Sequence, residues 1–125
     1  MSNATPKILI VEDSENILEM LAMMLSFQDW EPIKLNNLNN FIDTVTSVVP
    51  DVILMDMLLS GKNGCDACRE LKSNEKLSKI PIVMMSAHPE AKKETDAAGA
   101  DYFVSKPFEM VDLIAIVEKA ITHNT

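Results

Sequence analysis

Basic residues and long apolar runs are scarce in this chain of 125 residues, and each scarcity excludes a class of function. Eleven Lys and Arg against 19 Asp and Glu leave a net charge of −8 at pH 7. We therefore expect no direct binding to nucleic acid or to an anionic membrane surface, because both require a basic face. No apolar run approaches the roughly 20 residues of a membrane span, and the N-terminus lacks the apolar core of a signal peptide. We expect no membrane insertion.

Cysteine is also scarce. The chain has two, Cys65 and Cys68, which form a single C-x-x-C at a predicted helix start. A thiol-redox role is one interpretation, because a helix N-terminus lowers a thiol pKa. The negative charges of Asp66 and Glu70, however, oppose formation of a thiolate. No second C-x-x-C and no His pair supplies the remaining ligands of a zinc site. Residues three apart share a helix face, which favours packing of both cysteines against a sheet. Unpaired cysteines are typical of a reducing cytoplasm, where we expect the protein to be located.

What the chain has in quantity is apolar residues, at 47%, with 24% charged residues, as in a typical globular domain. A chain of 125 residues is long enough for one core and one domain. Residues 1–6 are predicted to be a flexible N-terminus, and its segment Ser2-Asn3-Ala4 is typical of a cloning remnant. Residues 7–125 are predicted to form the domain.

Short apolar runs alternate with segments of helical spacing along the whole chain. The runs predict strands at Lys7–Val11, Trp30–Leu35, Val52–Asp56, Ile80–Met85 and Tyr102–Val104. Helices are predicted after Ser14, around Leu38–Val48, and at Cys65–Leu71, Pro89–Ala98 and Glu109–Ile121. Unbroken apolar runs are typical of strands buried on both faces. The alternation therefore predicts an α/β fold in which a parallel sheet carries helices on both sides.

Polar residues stand at or just after the C-terminal ends of four of these strands: Glu12 and Asp13, then Asp56, Ser86 and Lys106. Right-handed crossovers place these strand ends at one edge of the sheet. Three carboxylates at one edge repel one another unless a cation compensates them, and oxygen ligands at a solvated edge suit Mg²⁺. With a lysine and a hydroxyl nearby, this set is suited to phosphoryl transfer with Asp56 as the nucleophile. Solvated polar caps would explain each residue singly, but not the carboxylate trio beside a lysine.

Four motifs coincide with these positions: V-E-D-S from Val11, D-M-L-L-S-G-K-N-G from Asp56, S-A from Ser86, and G-A-D-Y-F-V-S-K-P-F from Gly99. In this order they resemble the motifs of a response-regulator receiver domain, the phosphoacceptor domain of two-component systems. The resemblance extends from Lys7 to His123. It implies a flavodoxin-like (βα)5 fold whose doubly wound, five-stranded parallel sheet has the strand order 2-1-3-4-5.

The resemblance also implies a role for each polar residue. Asp56 would accept a phosphoryl group from a sensor histidine kinase, a histidine phosphotransfer protein or a small acyl phosphate. Lys106 and Ser86 would contact the bound phosphoryl group. The protein ligands of Mg²⁺ would be Glu12, largely through water, Asp13, Asp56 and the backbone carbonyl of Leu58. The domain would catalyse its own phosphorylation and dephosphorylation, as a switch rather than a conventional enzyme.

Signal output would follow from a conformational switch. Ser86 would move towards the phosphoryl group, Phe103 would turn inward, and the Lys106–Pro107 peptide bond would be cis. The surface formed by the Pro89 helix, the Tyr102 strand and the last helix would then bind a downstream effector. The resemblance also allows a phosphorylation-dependent dimer. An apolar residue at position 58 offers nothing to orient an attacking water, so we expect a long-lived phosphorylated form.

Three alternatives compete with this interpretation. An aspartyl-phosphate hydrolase of the haloacid-dehalogenase type needs a second carboxylate two residues after the nucleophile, where this chain has Leu58. A flavodoxin-type cofactor binder needs a phosphate-binding loop after the first strand, and none is present. A phosphorylation-independent pseudo-receiver remains the alternative, although the complete set of polar residues disfavours it. The cognate kinase, the output and the existence of further domains stay open.

Overall fold

The computed structural model describes residues 5–59 and 61–123. The predicted flexible N-terminus, including Ser2-Asn3-Ala4, lies outside the described residues except for Thr5 and Pro6. Within the described residues no helix is both long enough and apolar enough to cross a membrane.

Five parallel strands form the central sheet: β1 (Lys7–Val11), β2 (Glu31–Leu35), β3 (Val52–Asp56), β4 (Ile82–Ser86) and β5 (Tyr102–Ser105). Their spatial order is β2-β1-β3-β4-β5, so the predicted order 2-1-3-4-5 is confirmed. The predicted fourth strand begins too early, at Ile80. Because Pro81 has no N–H to donate, regular pairing starts only at Ile82, although Ile80 is still buried.

All five predicted helices are present: α1 (Glu15–Ser26), α2 (Phe41–Val48), α3 (Gly64–Lys72), α4 (Ala91–Ala97) and α5 (Met110–His123). Predicted and observed ends differ by at most three residues. The largest difference at a start is in α2, because Leu38 belongs to the turn before the helix, where its carbonyl accepts a hydrogen bond from the N–H of Phe41. Ser14 stands at the N-cap of α1, but its side chain makes no capping hydrogen bond.

The helices cover both faces of the sheet, because successive strand side chains point to opposite faces. One face packs against α1 and α5 through Ile8, Ile10, Val52, Leu54, Val83 and Met85. The other packs against α2, α3 and α4 through Leu9, Val11, Ile53, Met55, Ile82 and Met84. Burial of each such side chain stabilises the fold by about 1.5–3 kcal/mol before entropy is counted. The unbroken apolar runs are thus explained by burial on both faces.

Cys65 and Cys68 belong to the core on the α2–α3–α4 side, and neither is exposed to solvent. The prediction that both cysteines pack against the sheet is therefore confirmed. Burial raises the pKa of the Cys68 thiol to about 11 and also raises that of Cys65. Both groups are protonated thiols at neutral pH, which is unfavourable for thiol-redox chemistry.

Candidate functional site

The strand register brings the predicted site residues to one edge of the sheet. Val11 pairs with Met55, so Glu12 and Asp13 follow β1 beside the end of β3, where Asp56 pairs with Met85. Ser86 pairs with Ser105, the residue before Lys106. These pairings place the carboxyl ends of β1, β3, β4 and β5 next to one another, which is where open parallel sheets bind ligands.

The three carboxylates of Glu12, Asp13 and Asp56 form one cluster, with an oxygen atom of each lying within 4.8 Å of the others. Glu12 is the most buried, and its side chain is 2% exposed. Its Oε2 accepts a hydrogen bond of 3.1 Å from the N–H of Ser14. Burial is the main cause that raises the pKa of Glu12, and the negative charge of Asp56 raises it further. The cluster therefore concentrates negative charge at a poorly solvated place.

Lys106 supplies positive charge to this cluster. Its Nζ lies 3.0 Å from Oδ2 of Asp56 and 3.7 Å from Oε1 of Glu12. At 24% exposure for the Lys106 side chain and 13% for that of Asp56, this ion pair is only partly hydrated, so it is screened less than a surface pair. One ammonium group still leaves an excess of negative charge among the three carboxylates.

A buried acceptor atom helps to define which ligand fits the site. Oε1 of Glu12 accepts no hydrogen bond from any residue that the structure describes, and an unsatisfied buried acceptor costs about 1–3 kcal/mol. The donor set consists of carboxylate oxygens, which are the ligands of Mg²⁺ and other hard divalent cations. Excess negative charge, oxygen ligands and an acceptor without a donor together fit Mg²⁺.

Asp56 is held from two sides. Lys106 contacts Oδ2, and the N–H of Leu58 donates a hydrogen bond of 3.3 Å to Oδ1. Leu58 itself is 61% exposed, and its apolar side chain has no polar group to offer Asp56. Asp56 is thereby fixed in orientation at the rim of the site rather than buried beneath it.

Ser86 and Phe103, the two predicted switch residues, lie on neighbouring strands. Ser86 is buried, its Oγ accepts a hydrogen bond of 3.1 Å from the N–H of His88, and its backbone carbonyl accepts one of 2.7 Å from the N–H of Lys106. Phe103 pairs with Met84 and packs, half-buried, against the core on the α2–α3–α4 side. The peptide bond between Lys106 and Pro107 is cis.

Sequence reasoning missed Gly64, which the structure places directly behind Asp56. A Cβ at this position would lie 2.7 Å from the backbone carbonyl oxygen of Asp56, closer than side-chain carbons approach. The N–H of Gly64 also donates a hydrogen bond of 2.6 Å to the carbonyl of Met57. Glycine is thus required here because two backbone segments approach closely. The available signals were its place before a predicted helix and its position at the end of the motif that begins at Asp56.

Asn63 was missed as well. The segments Leu58–Leu59 and Lys62–Asn63 pair as a short antiparallel hairpin where a loop was predicted. From this hairpin the Oδ1 of Asn63 accepts a hydrogen bond of 2.8 Å from the N–H of Cys65, which caps α3, and its Nδ2 donates one of 3.1 Å to Glu94 on α4. An Asn immediately before a helix signals a cap, but the link to α4 is visible only in three dimensions.

Comparison with known proteins identifies the family of this chain. The family model of the response regulator receiver domain matches residues 8–118. The chain belongs to this family, a conclusion that agrees with the resemblance of its motifs.

Its relatives include longer regulators. The chain is 34% identical over 120 residues to the phosphate regulon transcriptional regulatory protein PhoB of Pseudomonas aeruginosa, covering 94% of this chain and 52% of PhoB. It is 31% identical over 126 residues to the DNA-binding response regulator MtrA of Mycolicibacterium smegmatis, covering 99% and 54%. It is 32% identical over 120 residues to the regulatory protein AtoC of Escherichia coli, covering 94% and 26%. The chain thus spans about half the length, or less, of these relatives.

Solved structures agree with the fold. A putative response regulator from Chloroflexus aurantiacus superposes with a TM-score of 0.90 at 26% identity, covering 95% of this chain and 99% of that one. The receiver domain of a signal transduction histidine kinase from Syntrophus aciditrophicus gives 0.86 at 28% identity, covering 94% and 91%. The doubly wound, flavodoxin-like receiver fold is confirmed.

Proposed function

We propose that this domain is a phosphorylation switch in which Asp56 accepts a phosphoryl group in the presence of Mg²⁺. The observation that carries this proposal is the position of Asp56, which is held by Lys106 and by the N–H of Leu58 beside the carboxylates of Glu12 and Asp13. A nucleophile, a lysine and a metal-binding set are the parts that phosphoryl transfer requires. The donor is the phosphohistidine of a sensor histidine kinase or histidine phosphotransfer protein, or a small acyl phosphate.

The chemistry follows from the charges at the site. An oxygen of Asp56 attacks the phosphorus atom, the bond from phosphorus to the leaving group breaks, and an acyl phosphate forms. The ammonium of Lys106 stabilises the negative charge on the phosphoryl oxygens. Glu12, Asp13, Asp56 and the backbone carbonyl of Leu58 would hold Mg²⁺, which would supply further positive charge opposite the phosphoryl oxygens. The same residues permit the later hydrolysis, in which water attacks phosphorus, the bond from phosphorus to the Asp56 oxygen breaks, and inorganic phosphate leaves.

Output is proposed to pass through Ser86 and Phe103. A phosphoryl group on Asp56 carries about two negative charges in place of the single charge of the carboxylate, and it brings new acceptor oxygens. This favours a conformation with the Ser86 hydroxyl drawn towards those oxygens. Two hydrogen bonds connect the site to neighbouring elements. The backbone hydrogen bond from Lys106 to Ser86 leads to the end of β5, and the side-chain hydrogen bond from Asn63 to Glu94 leads to α4. We propose that α4, β5 and α5 form the surface that binds an effector or a second phosphorylated copy.

The partner of that surface is proposed to be a protein. MtrA is named as a DNA-binding regulator, but it extends well beyond the segment that this chain matches. The chain itself has a net charge of −8, which opposes the approach of a phosphate backbone. We propose that any contact with DNA is made by another domain or partner and that the reaction takes place in the cytoplasm.

The test is to incubate the protein with acetyl phosphate in Mg²⁺ or in EDTA and to measure its intact mass. We expect a gain of one phosphoryl group in Mg²⁺ and a rate lower by about 100-fold or more in EDTA, because the charge stabilisation by the metal is lost. If no mass gain occurs with acetyl phosphate or with a phosphorylated histidine donor, the phosphorylation-independent interaction module is the better description.

Leu58 leads to a prediction for the lifetime of the phosphorylated form. Because its exposed side chain cannot orient water, Leu58→Asn is expected to shorten the half-life of the phosphorylated form about fivefold, the effect of one hydrogen bond worth ~1 kcal/mol. The decay of the intact-mass signal measures this. Met23→Asn, at the same 61% exposure on α1, is the control and should leave the half-life unchanged. An unaltered half-life in Leu58→Asn would show that position 58 does not limit the attack of water.

A further inference from the structure

An apolar groove adjoins the proposed phosphorylation site and has no part in the function described so far. It has a volume of about 370 Å³, which is in the range of small-ligand sites. Ile17 and Met20 of α1 form one wall, and Pro107 and Phe108 after β5 form the other. The Met20 side chain is 52% exposed although it is apolar, so this wall is open to a ligand from solvent.

The groove and the phosphorylation site share Lys106. This residue lines the groove, and its Nζ lies 3.0 Å from Oδ2 of Asp56. Met85 and Ala87, the neighbours of Ser86, line the groove as well. A molecule placed here contacts mainly apolar side chains, with the ammonium of Lys106 towards Asp56. This combination fits a molecule with an anionic head and a flat apolar body.

We propose that the groove binds the leaving group of a small-molecule phosphodonor and favours a planar ring, as in an aroyl phosphate. This inference rests on the proposed function, because the phosphoryl end of such a donor must reach Asp56. In the transfer from benzoyl phosphate, an oxygen of Asp56 attacks phosphorus and the bond from phosphorus to the benzoyl oxygen breaks. Benzoate leaves with the bonding electron pair, and no proton transfer is needed, because a carboxylate is both the attacking and the leaving group.

The size of the effect follows from the apolar surface that the ring buries. At about 25 cal/mol per Å², burial of roughly half of a phenyl ring against Met20, Ile17 and Phe108 corresponds to about a tenfold gain in kcat/KM. The methyl group of acetyl phosphate buries little surface in the groove and gains correspondingly less. The preference for the ring is therefore expected to depend on the groove, whereas transfer from acetyl phosphate is not.

The experiment compares benzoyl phosphate with acetyl phosphate as donors at saturating Mg²⁺, for the unmodified protein, Met20→Ser and Met23→Ser. Met20→Ser is expected to lower kcat/KM for benzoyl phosphate about fivefold and to leave that for acetyl phosphate unchanged. Met23 lies on the same helix, is 61% exposed and is absent from the groove lining, so Met23→Ser should alter neither rate. Equal effects of Met20→Ser on both donors would overturn the inference while leaving the proposed function intact.

A second measurement does not depend on transfer. Phenylphosphonate carries the ring and an anionic head but cannot donate its phosphorus, and methylphosphonate is its control without the ring. In Mg²⁺, phenylphosphonate, in contrast to methylphosphonate, is expected to shift the NMR signals of the Met20 and Ile17 methyl groups. Absence of that shift would contradict the inference. Because the measurement needs no phosphoryl transfer, this holds even if acetyl phosphate does not phosphorylate the protein. If Met20→Ser slowed transfer only from a phosphorylated protein donor, the groove would be assigned to that protein and the inference would be wrong.

Discussion

Replacing Asp56 with asparagine is expected to abolish the mass gain from acetyl phosphate in Mg²⁺. The amide that replaces the carboxylate has no nucleophilic oxygen for phosphorus, and the nearby Glu12 and Asp13 are assigned to the metal rather than to the phosphoryl group. Intact-mass measurement followed by peptide mapping tests this. Asp43→Asn is the control, because Asp43 lies exposed on α2, and it should keep the full mass gain. A phosphoryl group on Asp56→Asn would show that another residue is the acceptor.

The same replacement is expected to stabilise the protein in the absence of Mg²⁺. Asp56 contributes one of three carboxylates with oxygens within 4.8 Å of one another, and each such pair at about 4 Å costs between about 1 and 4 kcal/mol, depending on the local dielectric. The replacement also removes the ion pair with Lys106, which can still pair with Glu12. The net gain in the free energy of unfolding is therefore about 1 kcal/mol.

Urea denaturation in EDTA measures this gain as a higher midpoint at unchanged slope. Addition of Mg²⁺ should stabilise the unmodified protein more than Asp56→Asn, because the variant has lost a metal ligand. If Asp56→Asn were less stable in EDTA, the ion pair with Lys106 would outweigh the repulsion among the carboxylates.

Replacing Lys106 with methionine is expected to slow phosphorylation of Asp56 by about 100- to 1,000-fold. The Nζ of Lys106 lies 3.0 Å from the attacking carboxylate, and removal of one charge that stabilises a transition state usually costs this much in rate. Methionine retains much of the apolar stem of lysine, so packing against the groove is largely conserved. The rate of mass gain at saturating acetyl phosphate and Mg²⁺ measures the effect.

The control is Lys93→Met, because Lys93 is an exposed lysine on α4. It removes the same charge from the protein and should leave the rate within about twofold, since exposed distant charges are screened. A rate for Lys106→Met within tenfold of that of the unmodified protein would mean that the lysine serves the stability of the carboxylate cluster rather than the transfer. A loss of fold is excluded by comparing the near-UV circular dichroism of the two variants.

Much of the architecture could be predicted from local pattern. Four of the five predicted strands were located to within one residue at each end, because a strand buried on both faces leaves an unbroken apolar run. The strand ends also predicted the residues of the site, since a parallel sheet brings its carboxyl ends to one edge whatever the loops do. Helix ends were less accurate, because capping interactions and not periodicity decide them.

Contacts between distant segments could not be predicted. The close approach of Gly64 to the Asp56 backbone, the bridge from Asn63 to Glu94 and the groove between α1 and Phe108 each join parts of the chain that no periodic pattern connects. The sequence by itself determined the order of strands and helices and the chemical types collected at the sheet edge. Only the tertiary structure decided which atoms meet there, because distances between side chains depend on how the helices pack across the sheet.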